Sequence, residues 1–295
     1  MGVTSDDVAS DDAAVGSGPT ATPAPASIMV AAFKGWNDAA DAASDAVAQL
    51  RASWDTREVT ALDPEPYHDF QVTRPEVSRG PDGQRRVVWP TTRILESVVG
   101  GRRLLLVEGI EPSMRWRSYS HELLAVARRE GVEMLVTLGA LLTDVPHSRP
   151  IPVSATAEHP ETAERYGLEP STYEGPTGIV GVLQAEALDT GLPGVSLWAA
   201  VPHYVAQPPN PKATLALLTR LEDVLEVGMP YGDLAEDAEA WQRGVDELAQ
   251  EDTEIAEYVR QLEEAKDTAD LPEASGEAIA REFERYLRRR RPPPA

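Results

Sequence analysis

Along most of this chain, short continuous apolar runs alternate with stretches whose apolar residues recur at three- and four-residue spacing. IMVAAF (28–33), LLLVE (104–108), VEMLVTLGA (132–140) and VSLWAAVPHY (195–204) are apolar without alternation, the pattern of strands buried on both faces. REVTAL (57–62), RRVVWPT (85–91) and RPIPVSATAE (149–158) read as further strands. Between them, helical spacing predicts helices from Asn37 to Ala52, over 115–131 with a stop at Gly131, over 178–191 with a stop at Gly191, and over 211–228 with Pro211 in the first turn. Apolar strands separated by helices imply a sheet covered on both faces. The expectation is one three-layer α/β domain over 27–228.

After Gly228 the period changes. Leu234, Trp241, Leu248, Ile255 and Leu262 fall seven apart, with Ala238, Val245 and Val259 four residues on, which is a heptad. The register breaks at Asp252, and QEDTEI reads as a helix stop and restart with Asp252 or Thr253 as N-cap. A last helix is expected over 273–290, with Ile279, Phe283 and Leu287 on one stripe. The helical region therefore covers 229–290, and its apolar stripes must pack on the α/β domain, on each other or on another subunit. Residues 1–26 and 291–295 have almost nothing to bury and are expected to be disordered tails.

Composition narrows the function. The 295 residues include no cysteine, which excludes disulfides, thiol catalysis and thiolate metal sites. The formal net charge is −22, which argues against nucleic acid as a partner because phosphate contact requires Lys and Arg. From Leu221 to Arg290 there are 21 acidic and 8 basic residues, read as the solvated faces of helices. No run of the length of a membrane span and no secretory leader is legible, so a cytoplasmic protein without membrane contact is expected.

Candidate chemistry lies in four loops at strand ends, where open α/β sheets place their sites. In GWND, Gly35 allows a sharp turn, Asn37 is a suitable N-cap, and Asp38 and Asp41 suit the positive end of a helix dipole; Trp36 has no structural role in that reading. The alternative is a catalytic or binding mouth. In LVEGIEPSMRW, Glu108 and Glu111 either act as bases or pair with arginines such as Arg115. In TDVPHSRP, Asp144, His147 and Arg149 could hold an anion or move a proton, at spacings that match no metal signature. Gly175, Thr177 and Gly178 precede a helix and form a possible anion seat, but lack the GK[ST] of a phosphate loop; His203 and Tyr204 end a strand. No nucleophile elbow, cofactor fingerprint or metal set emerges.

Taken together, FKGWNDAADAA, LLLVEGIEPSMRW, LGALLTDVPHSRP, YEGPTGIVGVL and LWAAVPHYVAQPPNPKATLALL resemble the proteasome assembly chaperone 2 family, and within it the actinobacterial branch. The resemblance spans about 28–270. It implies a three-layer fold like that of nucleoside phosphorylases and related hydrolases, extra C-terminal helices, and a homo-oligomer, as a trimer. It also implies proteasome subunits as partners. Some archaeal relatives contact proteasomes through a C-terminal hydrophobic-Tyr-any motif. RRRRPPPA carries no such motif, and the similar trio Arg285, Tyr286, Leu287 is internal and begins with Arg, which argues against that route. Two functions follow as expectations: a non-catalytic interaction or assembly factor, or a small-molecule binder or enzyme of phosphorylase or hydrolase type. The second requires Trp36, Asn37, Asp38, Glu111, His147, Arg149, Gly175, Thr177, Gly178 and His203 to converge on a pocket.

Overall fold

The computed structural model describes residues 27–269. The tails and the helix expected over 273–290 lie outside the described residues.

The central strand, β1 (Ser27–Lys34), is buried on both faces over seven of its eight residues. Its parallel neighbours are β6 (Arg102–Ile110) on one side and β7 (Met134–Thr143) on the other, and β10 (Gly194–Pro202) runs parallel to β7. β5 (Arg93–Val99) and β8 (Val153–Ala157) border this parallel centre and run antiparallel to it. β5 and then β2 (Arg57–Ala61) extend one side; β8 and the short β9 (Glu169–Pro170) extend the other. The order is β2-β5-β6-β1-β7-β10-β8-β9.

Side-chain alternation along the strands divides the core in two. Ile28, Val30 and Ala32 of β1 face α1 (Ala42–Ser53) and α5 (Pro211–Leu225); Met29, Ala31 and Phe33 face α2 (Trp116–Arg129) and α4 (Ile179–Asp189). The result is the three-layer α/β arrangement expected from the unbroken apolar strands. A short helix, α3 (Pro160–Tyr166), and β5 and β9 have no counterpart in the hydropathy reading.

Three other departures matter. The strand in RRVVWPT is β4 (Arg85–Val88), and it pairs with β3 (Glu76–Arg79) in a separate two-stranded hairpin, not with the main sheet. All eight residues of that hairpin are exposed. The helix expected from Asn37 begins five residues later, at Ala42, after a 3-10 turn over Ala39–Asp41. The helix expected to run to Gly228 ends at Leu225, with Glu226 in the left-handed conformation.

Beyond α5 the heptad forms two helices, α6 (Leu234–Glu251) and α7 (Thr253–Ala269). Asp252 separates them, and its carboxylate accepts the backbone N–H groups of Glu254 and Ile255, as its N-cap position predicts. Ala238, Val245, Ala249 and Val259 are buried, but Leu248 is 61% exposed, so one heptad position has no cover.

Candidate functional site

The loops at the carboxyl ends of β1 and β6 meet the loop between β9 and α4 in one hydrogen-bonded node. Gly35 leaves β1 with φ +132°, and a β-carbon there would stand 3.1 Å from Cβ of Glu111. Close approach therefore explains this glycine. Asn37 follows, only 2% exposed. Its carbonyl accepts the N–H of Ala140 of β7 (2.8 Å), and its Nδ2 donates to Oε1 of Glu111 (2.7 Å). The same Glu111 oxygen accepts the first N–H of α4, from Ile179, at 2.8 Å. A carboxylate at a helix N-terminus is favoured by the dipole and by the free N–H groups there. Glu111 thus fills the anion seat suggested by Gly175, Thr177 and Gly178. Gly178 is required because a β-carbon there would lie 2.3 Å from Asn37 Nδ2. The Oδ1 of Asn37 is buried without a partner.

Asp41 occupies the N-cap position of α1 without a side-chain cap, and the capping carboxylate comes from Asp38, not Asn37. Oδ1 of Asp38 accepts the N–H of Ala43 at 2.7 Å and that of Ser44 at 3.3 Å. Asn37 points the other way because the chain bridges to β7 at this point, which turns its amide towards Glu111. The intervening 3-10 turn holds Ala40 and Asp41 at φ 54° and 56°, a left-handed pair of non-glycine residues. Such conformations are each costly by about 1 kcal/mol or more and persist only where the surroundings impose them. Burial raises the pKa of Asp38 to about 6, against the pull of the amides it accepts.

Around this node lies an exposed apolar rim. Trp36 (68% exposed) follows β1, Met114 follows β6, Leu141 and Leu142 end β7, and Tyr173 (69%) sits in the loop leading to α4. Gly175 and Thr177 are exposed in that loop too, and Tyr173 Oη donates to the carbonyl of Pro176. Glu108 is paired with Arg51 at 2.9 Å and Arg93 at 3.2 Å, the pairing alternative for that loop.

The remaining expected residues form a second cluster, where the α6–α7 pair meets the segments that follow β7 and β10. His147 is 1% exposed. Its backbone N–H donates to Tyr204 Oη, which also lies 2.7 Å from His147 Nδ1, while Nε2 lies 2.9 Å from Asp246 of α6. The hydroxyl accepts the backbone N–H and donates to Nδ1, which leaves the Nε2 proton for Asp246. Burial pushes the Tyr204 phenol up to about 12, so it stays a proton donor at neutral pH. Lys212 donates to the carbonyl of His147 (2.5 Å) and to Gln242 (2.6 Å). Arg149 grips Asp267 of α7 with two bonds of 2.7 and 2.8 Å, and Ser148 bonds Glu263. His203 pairs with Asp144 (3.0 Å), and its ring packs on Tyr258 of α7.

The ten candidate residues thus divide into two groups: Asn37, Asp38, Glu111 and Gly178 in the node, with Trp36, Gly175 and Thr177 on its rim, and His147, Arg149 and His203 in the helix clamp. Two open grooves are also present, the first bordering the helix clamp. One, of about 640 Å³, is lined by residues that include Ser148, Ile151, Lys212 and Gln242; the other, of about 710 Å³, by Asp45, Gln49, Pro211 and Trp241 among others. Among the described residues no group of three or more His, Asp or Glu side chains is placed to hold a metal, and no helix is long and apolar enough to cross a membrane. Sequence reading missed Lys212, Gln242, Asp246, Glu263 and Asp267, because no local spacing links a loop to helices about a hundred residues away.

This architecture defines a three-layer α/β protein whose added helical pair is fastened to the strand ends. The chain belongs to the PAC2 family, whose model matches residues 32–249. It is 60% identical to a PAC2 family protein from Streptomyces avermitilis, over 79% of this chain and 99% of that one, with a TM-score of 0.75. It is 52% identical to a proteasome-assembly chaperone homologue from Mycobacterium tuberculosis, with the same coverage and a TM-score of 0.71. An archaeal proteasome activator from Pyrococcus furiosus shares the fold at 16% identity, over 76% of this chain and 93% of that one, with a TM-score of 0.59. No curated protein matches the chain.

Proposed function

We propose that the protein is an interaction factor of the proteasome-assembly-chaperone type, which works by binding proteasome subunits as a homo-oligomer, a trimer in the reading that the family resemblance implies. The observation that carries this reading is the exposed rim of Trp36, Met114, Leu141, Leu142 and Tyr173 above the node. Large apolar and aromatic side chains gathered at one end of a soluble domain are a protein-docking surface, with aromatics as its energetic anchors. The carboxylates beneath them are taken up within the chain: Glu111 is committed to Asn37 and Ile179, and Asp38 to Ala43 and Ser44. They hold the rim in place. The similarity to the mycobacterial chaperone homologue points to the kind of partner.

The test is capture of purified proteasome subunits of the same organism by tagged wild-type protein and by Trp36→Ala. The wild type should retain subunits, and Trp36→Ala should weaken capture at least about tenfold while the melting temperature holds. Equal capture by both proteins, or none by the wild type, would overturn the reading.

A further inference from the structure

Among the described residues, the β3–β4 hairpin is an arm that no other strand pairs with. Its strands pair only with each other, and all their residues are exposed. Such a hairpin alone is marginal in water, yet this one is held at both ends. At the tip, Gly83 turns with φ +76°, Asp82 accepts from Gln84 N–H and pairs with Arg86 at 2.7 Å, and Arg79 donates to the Gly83 carbonyl. At the base, Trp89 packs edge-on against Phe70, centroids 4.8 Å apart. The arm is therefore preformed.

One face of it has a defined chemistry. Val77 stands opposite Val87, and Arg79 opposite Arg85, so strand alternation puts all four on the same side. Val77 and Val87 are more than half exposed. Like charges directly opposite one another destabilise a hairpin. Among the described residues neither Arg79 nor Arg85 forms an ion pair within the chain. Between 74 and 89 there are four basic and two acidic residues, in a protein of net charge −22.

The complementary surface is on the same chain. Leu248, the uncovered heptad position, lies on α6 with Glu251 three residues on along one face and Glu247 beside it. Residues 229–269 contain thirteen acidic and three basic residues. No hydrogen bond or ion pair among the described residues joins the arm to α6 or α7. We infer that the arm of one copy docks on the end of α6 of a second copy, with Val77 and Val87 covering Leu248 and with Arg79 and Arg85 facing Glu247 and Glu251. Such a contact joins different surfaces of the two copies, so it propagates head to tail and closes a ring when the rotation allows. The inference rests on the self-association in the reading above and assigns its surface.

Sedimentation velocity across concentration and salt tests it, with Arg79→Glu/Arg85→Glu and Glu247→Arg/Glu251→Arg as variants. The wild type should associate, more weakly at high salt. Each variant should raise the dissociation constant about tenfold or more, and mixing the two should restore association, because the reversed charges meet again. Val77→Ser/Val87→Ser should weaken association with no change in its salt dependence. Both hairpin variants alter exposed residues outside the core, so their melting temperatures should match the wild type. A wild type that stays monomeric overturns the inference together with the homo-oligomer. A wild type that associates, with an unaffected arginine variant or an unrestored mixture, overturns only the assignment to the arm. Subunit capture through the Trp36 rim is read separately and is untouched by either result.

Discussion

Replacing Gly178 with alanine places a methyl carbon 2.3 Å from Nδ2 and 2.4 Å from Oδ1 of Asn37. Real contacts of that kind are more than an ångström longer, so one group must leave. Asn37 is 2% exposed, and its carbonyl is tied to Ala140, so the side chain can only swing off Glu111 within a closed space. The loss is a hydrogen bond to a carboxylate, about 1.5–3 kcal/mol, together with an amide left buried and unpaired, about 1–3 kcal/mol. Partial relaxation shortens that sum, and alanine is also the poorer N-cap. The expected destabilisation is about 3–4 kcal/mol, read from the guanidinium unfolding midpoint at constant slope. A double-mutant cycle isolates the cause. In an Asn37→Ala background the clash partner is gone, so Gly178→Ala should cost only the cap difference, about 1 kcal/mol or less. A Gly178→Ala protein within about 1 kcal/mol of the wild type, or one that loses as much in the Asn37→Ala background, refutes the account of the node.

Asp38→Ala should lower stability by about 1–2 kcal/mol, because two helix N–H groups lose their acceptor; denaturant titration reads it. The raised pKa of Asp38 has a sign as well. The folded protein holds the proton up to about pH 6, while the unfolded chain releases it near 3.8. This group's contribution is therefore greatest below the lower value and falls as pH rises through the upper one, by on the order of 3 kcal/mol. Asp38→Asn should flatten that part of the stability profile between pH 4 and 6, as unfolding at each pH would show. Asp246→Asn should leave the sheet core intact while loosening α6 from His147, seen as faster amide exchange in α6 with little change in α1 or β1.

The strand–helix alternation was legible because burial on both faces leaves unbroken apolar runs, as in IMVAAF and VEMLVTLGA, and the membership of the PAC2 family was legible in the loops that join them. The capping residue was not. GWNDAAD offers two good caps in succession, and the choice depends on a bridge from Asp38 to Ala140, made a hundred residues downstream. A 3-10 turn with Ala40 at positive φ has no signature, since alanine rarely adopts it. The helix break at Asp252 could be read from its capping side chain, but the exposure of Leu248 could not, because a heptad states which residues want cover and not what supplies it. The node was half visible. Glu111 and Gly178 stood out as site residues, but their real connection, one carboxylate oxygen shared by a loop amide and a helix start, is a fact of three dimensions.

That shared oxygen has a consequence for the docking proposed for the rim. Glu111 Oε1 is bonded at once to the loop after β1 and to the start of α4, and the Glu111 N–H is bonded to the carbonyl of Lys34 in β1. The segments bearing Trp36, Met114 and Tyr173 are thus fastened to one another before any partner arrives. Ordering flexible side chains and loops on docking costs roughly 0.5–1.5 kcal/mol for each immobilised group. A surface whose loops are already cross-tied has met most of that entropy loss during folding. Its mutual orientation is a property of the free protein, and variants of Glu111 should blunt the selectivity of the rim even where every rim residue is retained.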